Sequence, residues 1–188
     1  MMRFVPNYTL DIINDKDFPK AIKEIKERLE PCLNSGFFDT GDSKKIYYEY
    51  FLAESSKASI VIVHGLSEFT KKFYEIAFYF LNQGYNVFIY DQRCHGFSSR
   101  LTDKMDLLHV DSYKDYVSDL NDFIDKIVIP ADNKPLYIYA HSMGGAVSAL
   151  YLAQNPYKIK KAVLSSPMFE PKVGGVSHRT ARWSTGLA

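Results

Sequence analysis

The stretch Tyr137–Ala146, reading Tyr-Ile-Tyr-Ala-His-Ser-Met-Gly-Gly-Ala, constrains this chain more than any other. Leu136 to Ala140 is a short apolar, aromatic-rich run after Pro135 and reads as a buried strand. Ser142 follows, then Gly144 and Gly145, then a helix-like run from Ala146 to Asn155 closed by Pro156. A strand, an abrupt turn through serine and a helix match the G-x-S-x-G layout, in which a serine is raised on a strained strand-to-helix turn. Small residues suit such a turn because the flanking backbone must approach closely without Cβ clashes. Ala140 stands where that layout has its first glycine. Taken alone, these residues are explained equally well by a serine that caps a helix.

Two further motifs break the tie. Ile60-Val-Ile-Val-His-Gly-Leu-Ser-Glu68 is a β-branched strand running into His64-Gly65, and Tyr85-Asn-Val-Phe-Ile-Tyr-Asp-Gln-Arg-Cys-His-Gly-Phe-Ser98 is a strand followed by a loop. In this order the three motifs resemble the α/β-hydrolase superfamily, most closely its monoacylglycerol lipase and lysophospholipase branch among serine aminopeptidase S33-type hydrolases. The resemblance runs from Gly36 to Phe169 and departs from the branch at Ala140 and Cys94, where glycine is usual.

The order of segments sets the expected fold. Phe18, Ala21, Ile22, Ile25 and Leu29 share one face of a helix over Asp17–Glu30, with Pro19 in its first turn and Pro31 at its stop. Its polar face alternates lysine and glutamate, which marks a solvated surface. Gly36 to Ala53 reads as an antiparallel hairpin turning at Gly41-Asp42. Strands at Ser59–Val63, Asn86–Tyr90, Leu136–Ala140 and Lys161–Ser165 then alternate with helices at Lys71–Gln83, Ser112–Ile127 and Ala146–Gln154. Phe73, Ile76, Ala77 and Phe80 are the inward face of the first of these helices, Gly84 ends it, and Ser112 with Asp115 opens the second. The expected class is α/β: a doubly wound, mostly parallel sheet forming part of an α/β-hydrolase core, with an N-terminal antiparallel hairpin and an N-terminal helix. The expected organisation is a helical extension over residues 1–35, the partial core over 36–171 and an irregular tail over 172–188.

Composition narrows the function classes. Hydrophobic residues make up 46% and charged residues 24%, an ordinary globular balance, and a net charge of +1 gives no electrostatic case for nucleic acid. Cys32 and Cys94 have no metal-ligand or disulfide-framework spacing. No cofactor or metal is expected. No run reaches membrane-spanning length, so a cytoplasmic setting is the expectation, with transient contact at a membrane surface left open. Tyrosine and phenylalanine, 14 and 13 residues, are read first as core packing and second as an apolar substrate groove.

The chemistry expected of this pattern is nucleophilic. A serine hydroxyl needs an adjacent base, usually histidine, oriented by a carboxylate, and the developing oxyanion needs preorganised N–H donors. Ser142 is the candidate nucleophile. Its candidate oxyanion donors are the backbone N–H of Met143 and, by the resemblance, that of Leu66. His64, Gly65, Ala140, His141, Gly144 and Gly145 are expected to support the elbow and the loop facing it. His64 suits a structural hydrogen bond, His95 is expected to brace a loop with Asp91 and Arg93, His141 to point away from Ser142, and His109 to lie on ordinary surface. The resemblance implies a later acid and histidine, yet only 46 residues follow Ser142. They hold His178, in a tail with no clear period, and Glu170, both poor candidates. The family's cap is also expected to be missing, from about Glu170-Pro171 onward. The chain therefore looks C-terminally incomplete and of little activity alone, and exposed apolar surface points to self-association. The implied parent activity is hydrolysis of a small lipid or other carboxylic ester through an acyl-enzyme, with a monoacylglycerol or lysophospholipid as substrate. An acyltransferase, a thioesterase, an aminopeptidase or a non-catalytic module on the same core remains open.

Overall fold

β-Branched and aromatic runs at six places pair into one sheet in the computed structural model, which describes residues 2–103 and 107–170. The strands are β1 (Asn34–Asp39), β2 (Lys45–Phe51), β3 (Ala58–Val63), β4 (Tyr85–Tyr90), β5 (Leu136–His141) and β6 (Lys161–Ser165), in the spatial order β1-β2-β4-β3-β5-β6. β1–β2 and β2–β4 are antiparallel, whereas β3–β4, β3–β5 and β5–β6 are parallel. The helices are α1 (Phe18–Leu29), α2 (Tyr74–Asn82), α3 (Tyr113–Phe123), α4 (Ile129–Ala131) and α5 (Met143–Gln154).

All six residues of β3 are buried, as expected of a parallel central strand covered on both faces. Period-two alternation divides the core there. Val61 and Val63 join Phe88, Leu120, Phe123, Val147 and Tyr151 on the side of α3 and α5. Ile60 and Ile62 join Val87, Ile89, Ile25, Leu29 and Leu81 on the side of α1 and α2. The N-terminal segment belongs to this second side: Phe4 is 3% exposed, and its backbone bonds Leu52 and Glu54. Among the described residues, no helix is long and apolar enough to cross a membrane.

Several boundaries differ from the sequence reading. Thr70–Phe73 form a tight 3-10 turn whose leading Thr70 N–H donates to Asp91 Oδ1 (2.7 Å), and α2 begins at Tyr74. Phe18 is 40% exposed, so the inward face of α1 narrows to Ile25 and Leu29, with Ala21 and Ile22 half-buried. Phe80 is likewise half-buried. Beyond Phe123 the helix widens to a π turn over Ile124–Val128, closed by the Ile129 N–H on the Ile124 carbonyl. Pro130 follows, and a wider turn relieves the clash its ring makes with the carbonyl four residues before it. Finally, α5 starts at Met143 instead of Ala146, so both glycines lie in its first turn.

Candidate active site

Ser142 joins β5 to α5 with φ 50° and ψ −118°, a conformation L-residues avoid and one that sits at such junctions under constraint. The constraint is visible. The Ser142 N–H donates to the Ser165 carbonyl at the end of β6 (3.0 Å), and the Ser142 carbonyl accepts from Met168 and Gly145 (both 2.9 Å). The side chain makes no cap bond to α5, and among the described residues its hydroxyl makes no hydrogen bond. Serine here is not a helix cap, which removes the alternative explanation of the motif.

The glycines explain how the elbow fits. A Cβ on Gly144 would lie 2.3 Å from the Val63 carbonyl oxygen and 2.4 Å from that of His64, so only glycine lets α5 press on the end of β3. A Cβ on Gly145 would meet Pro167 at 2.8 Å. Ala140 is fully buried in regular strand, where a methyl group carries no backbone penalty. Met143 is the first residue of α5, so its N–H has no acceptor within the helix and stands at the positive end of its dipole.

The loop after β3 meets this elbow. A Cβ on Gly65 would lie 3.0 Å from the Cβ of Ser142, 3.2 Å from His141 Nδ1 and 2.9 Å from Glu68 Oε2. Leu66, the next residue, holds its side chain 51% exposed, and among the described residues its N–H has no backbone acceptor. Glu68 ties the loop down: its Oε2 accepts from the Gly65 N–H (2.6 Å) and bonds His141 Nδ1 (3.0 Å). Burial raises the Glu68 pKa, but the hydrogen bonds from His141 and Gly65 outweigh it and hold the carboxyl below its usual range. His141 thus turns to Glu68, not to Ser142.

His64 is fully buried, with Nδ1 on the Gly65 carbonyl (2.8 Å) and Nε2 accepting from the Gln92 N–H (2.9 Å). Burial depresses its pKa to about 3, so the ring is neutral and structural. The loop after β4 provides the other half of this scaffold. Asp91 accepts from the Thr70 and Phe97 N–H groups, while burial raises its pKa. His95 Nδ1 bonds the Arg93 carbonyl (2.9 Å), and its ring packs edge-on to His64. Arg93, itself buried, reaches Asp119, Asp42 and Asp115, stapling the loop to α3 and to the β1–β2 turn. Cys94 occupies φ 64°, which accounts for the glycine usual at that place.

Not every candidate joins the site. His109 is exposed and faces Asp111 (3.2 Å), and Glu170 ends the described segment. His178 lies outside the described residues. Sequence reasoning overlooked Glu68 and Gln92. Glu68 had a signal, a carboxylate three residues after a glycine in a turn, placed to accept an N–H; Gln92 had none.

The family described as "Serine aminopeptidase, S33" matches residues 54–187. The chain belongs to the serine aminopeptidase S33 family. Lysophospholipase L2 of Escherichia coli (strain K12), a similar curated protein, is 37% identical over 128 residues, covering 68% of this chain and 38% of that protein. Monoglyceride lipase of Mus musculus is 28% identical over 128 residues, covering 68% and 41%. A soluble variant of monoglyceride lipase from Saccharomyces cerevisiae, solved with a substrate analog, superposes with a TM-score of 0.59 at 22% identity, over 82% of this chain and 48% of that one. The fold of this S33 family chain is therefore that of the α/β-hydrolases. Its matched stretch spans about two-fifths of the curated relatives' length, 38% and 41% for these two.

Proposed function

We propose that this polypeptide carries the nucleophile half of a carboxylic-ester hydrolase, in which Ser142 attacks the ester carbonyl and forms an acyl-enzyme. The observation that carries this reading is the backbone of Ser142: φ 50°, ψ −118°, a hydroxyl not used as a helix cap, and the Gly65 turn closing against its Cβ. The N–H groups of Met143 and Leu66 take the roles of oxyanion donors; each such donor contributes about 3–4 kcal/mol in a working enzyme. Attack forms a bond from Ser142 Oγ to the carbonyl carbon, the alcohol leaves with a proton, and water then releases the carboxylic acid. Relatives named lysophospholipase and monoglyceride lipase support a small lipid ester as the substrate.

Among the described residues no histidine is hydrogen-bonded to Ser142: His64, His95, His109 and His141 turn a ring nitrogen to Gly65, Arg93, Asp111 and Glu68 instead. We therefore expect slow acylation by the chain alone and rescue by added imidazole. Incubation with p-nitrophenyl butyrate and imidazole, followed by intact-mass and peptide mapping, should place one butyryl group on Ser142, absent in Ser142→Ala. A label on another residue, or one that persists in Ser142→Ala, would overturn the assignment. Rapid stoichiometric fluorophosphonate labelling without imidazole, lost in Ser142→Ala, would instead show that the chain has its own base.

A further inference from the structure

The turn His64-Gly-Leu-Ser-Glu68 meets the Ser142 elbow with little room for a side chain at its glycine. A Cβ on Gly65 would stand 3.0 Å from the Ser142 Cβ, 3.2 Å from His141 Nδ1 and 2.9 Å from Glu68 Oε2. Glycine permits that approach, yet its backbone is the hardest of any residue to hold still. Both peptide groups flanking Gly65 are nevertheless fixed. On one side, His64 takes a single tautomer: Nε2 accepts the Gln92 N–H (2.9 Å), so Nδ1 carries the proton and donates to the Gly65 carbonyl (2.8 Å). On the other, Glu68 Oε2 accepts the Gly65 N–H at 2.6 Å, and His141 Nδ1 braces the same oxygen at 3.0 Å.

The consequence falls on Leu66. Its peptide bond to Gly65 is trans and planar, so the Leu66 N–H points opposite to the Gly65 carbonyl. That carbonyl is turned to the buried His64 ring, which directs the N–H away from the ring, and among the described residues it has no acceptor. Ser67 then takes φ 58°, a left-handed value that serine rarely adopts unless its surroundings hold it there. Lys72 Nζ on the Ser67 carbonyl (3.0 Å) and the two bonds of Glu68 are the restraints on this turn.

We propose that Glu68 is a positioning residue: its bond to the Gly65 N–H, braced by His141, holds the Leu66 N–H ready for the oxyanion formed at Ser142. This rests on the ester-hydrolase reading and adds to it a side chain that touches no reacting atom. His141 provides the registration. It is the last residue of β5 and adjoins Ser142, so the carboxylate is tied to the strand that carries the nucleophile. A charged acceptor suits the task, because charge-assisted hydrogen bonds are shorter and stronger than neutral ones. Burial works against that charge, but the bonds from His141 and Gly65 hold the carboxyl below its usual range.

Butaneboronic acid separates the two donors. Its boron bonds Ser142 Oγ, the hydroxyl proton leaves to solvent, and the tetrahedral adduct carries one negative charge on its oxygens. In the nitrogen-15-labelled parent, the Leu66 and Met143 amide resonances should both move on adduct formation. In Glu68→Ala the Met143 response should remain and the Leu66 response vanish, while Glu68→Gln, which keeps an acceptor oxygen, should restore it. Imidazole-rescued acylation by p-nitrophenyl butyrate should fall about 10- to 100-fold in maximal rate in Glu68→Ala, with the half-saturating ester concentration unchanged. Should Glu68→Ala fail to fold, hydrogen exchange in the parent decides: the Gly65 amide must be protected and the Leu66 amide exchange freely. A Leu66 response that survives Glu68→Ala, loss of both responses together, a loss in Glu68→Gln as large as in Glu68→Ala, or an unprotected Gly65 amide overturns the proposal. A parent in which Met143 responds and Leu66 does not removes the proposal alone. A parent in which neither responds removes the ester-hydrolase reading and the proposal with it.

Discussion

At residue scale the site depends on one hydrogen atom where a side chain would otherwise be. Gly144→Ala drives a Cβ into the Val63 and His64 carbonyls, which are backbone atoms unable to swing aside. It should lower stability by about 1–3 kcal/mol, the usual range for overpacking, and move the Met143 amide away from Ser142. Gly41→Ala, where nothing lies within 4 Å, should stay within about 0.5 kcal/mol of the parent in urea unfolding. Equal effects would mean that the close approach of α5 to β3 is not real. His64 makes a second prediction. Its folded pKa is lowered to about 3 against an ordinary 6.5, so the unfolded chain takes up the proton first as pH falls. Stability contributed by neutral His64 is then present above pH 6.5 and is lost between about 6.5 and 3, at up to about 1.4 kcal/mol per pH unit. His64→Gln cannot titrate, so its urea midpoint should fall less steeply between pH 7 and 4.5 than the parent's; parallel slopes would refute this. Ser142 and its two glycines stood out in the sequence because the strand, turn and helix that hold them are consecutive. Glu68 left only a local trace, its place three residues after Gly65, and Gln92 left none, because its bonds to His64 form only when the loops after β3 and β4 meet.

At element scale the loop after β4 is held by one guanidinium. Arg93 is 3% exposed and bonds Asp119, itself 1% exposed, through two contacts of 2.7 Å. Burial opposes the charges of both, and the pair answers by raising the Arg93 pKa well above normal. Removing one partner from such a pair is far worse than never having built it. Asp119→Ala should cost about 3 kcal/mol or more, whereas Asp42→Ala, whose side chain is 49% exposed, should cost no more than about 1 kcal/mol. Thermal unfolding of the two variants checks the ranking, and an equal loss would count against a buried staple. The strands were readable from their apolar runs, since burial on both faces leaves little choice of residue. Helix limits were less so. A 3-10 turn over Thr70–Phe73 precedes α2 and a π turn ahead of Pro130 follows α3, and neither is written in the local 3.6-residue period.

At the scale of the whole molecule, the sheet separates two cores that must melt together if the chain is one cooperative unit. Phe123 anchors the side of α3 and α5, its ring tilted by 40° against Tyr90 at 4.8 Å, whereas Phe4 anchors the other side, edge-on to Phe78 at 5.7 Å with Arg28 over both rings. Residues before the first strand are therefore bound into the core: Tyr8 bonds the Asn82 carbonyl and Ile13 the Tyr79 hydroxyl. β3 transmits the coupling, because Ile60 and Ile62 lie on one face and Val61 and Val63 on the other. Truncating a buried phenylalanine costs about 3–5 kcal/mol, so Phe4→Ala and Phe123→Ala should each shift a single urea transition by that amount. Far-ultraviolet circular dichroism and hydrogen exchange of the β3 amides should report the same midpoint in both variants. If Phe4→Ala instead melts α1 and α2 in a separate early transition while β3 stays protected, residues 1–35 are an appendage and the serine's scaffold does not depend on them.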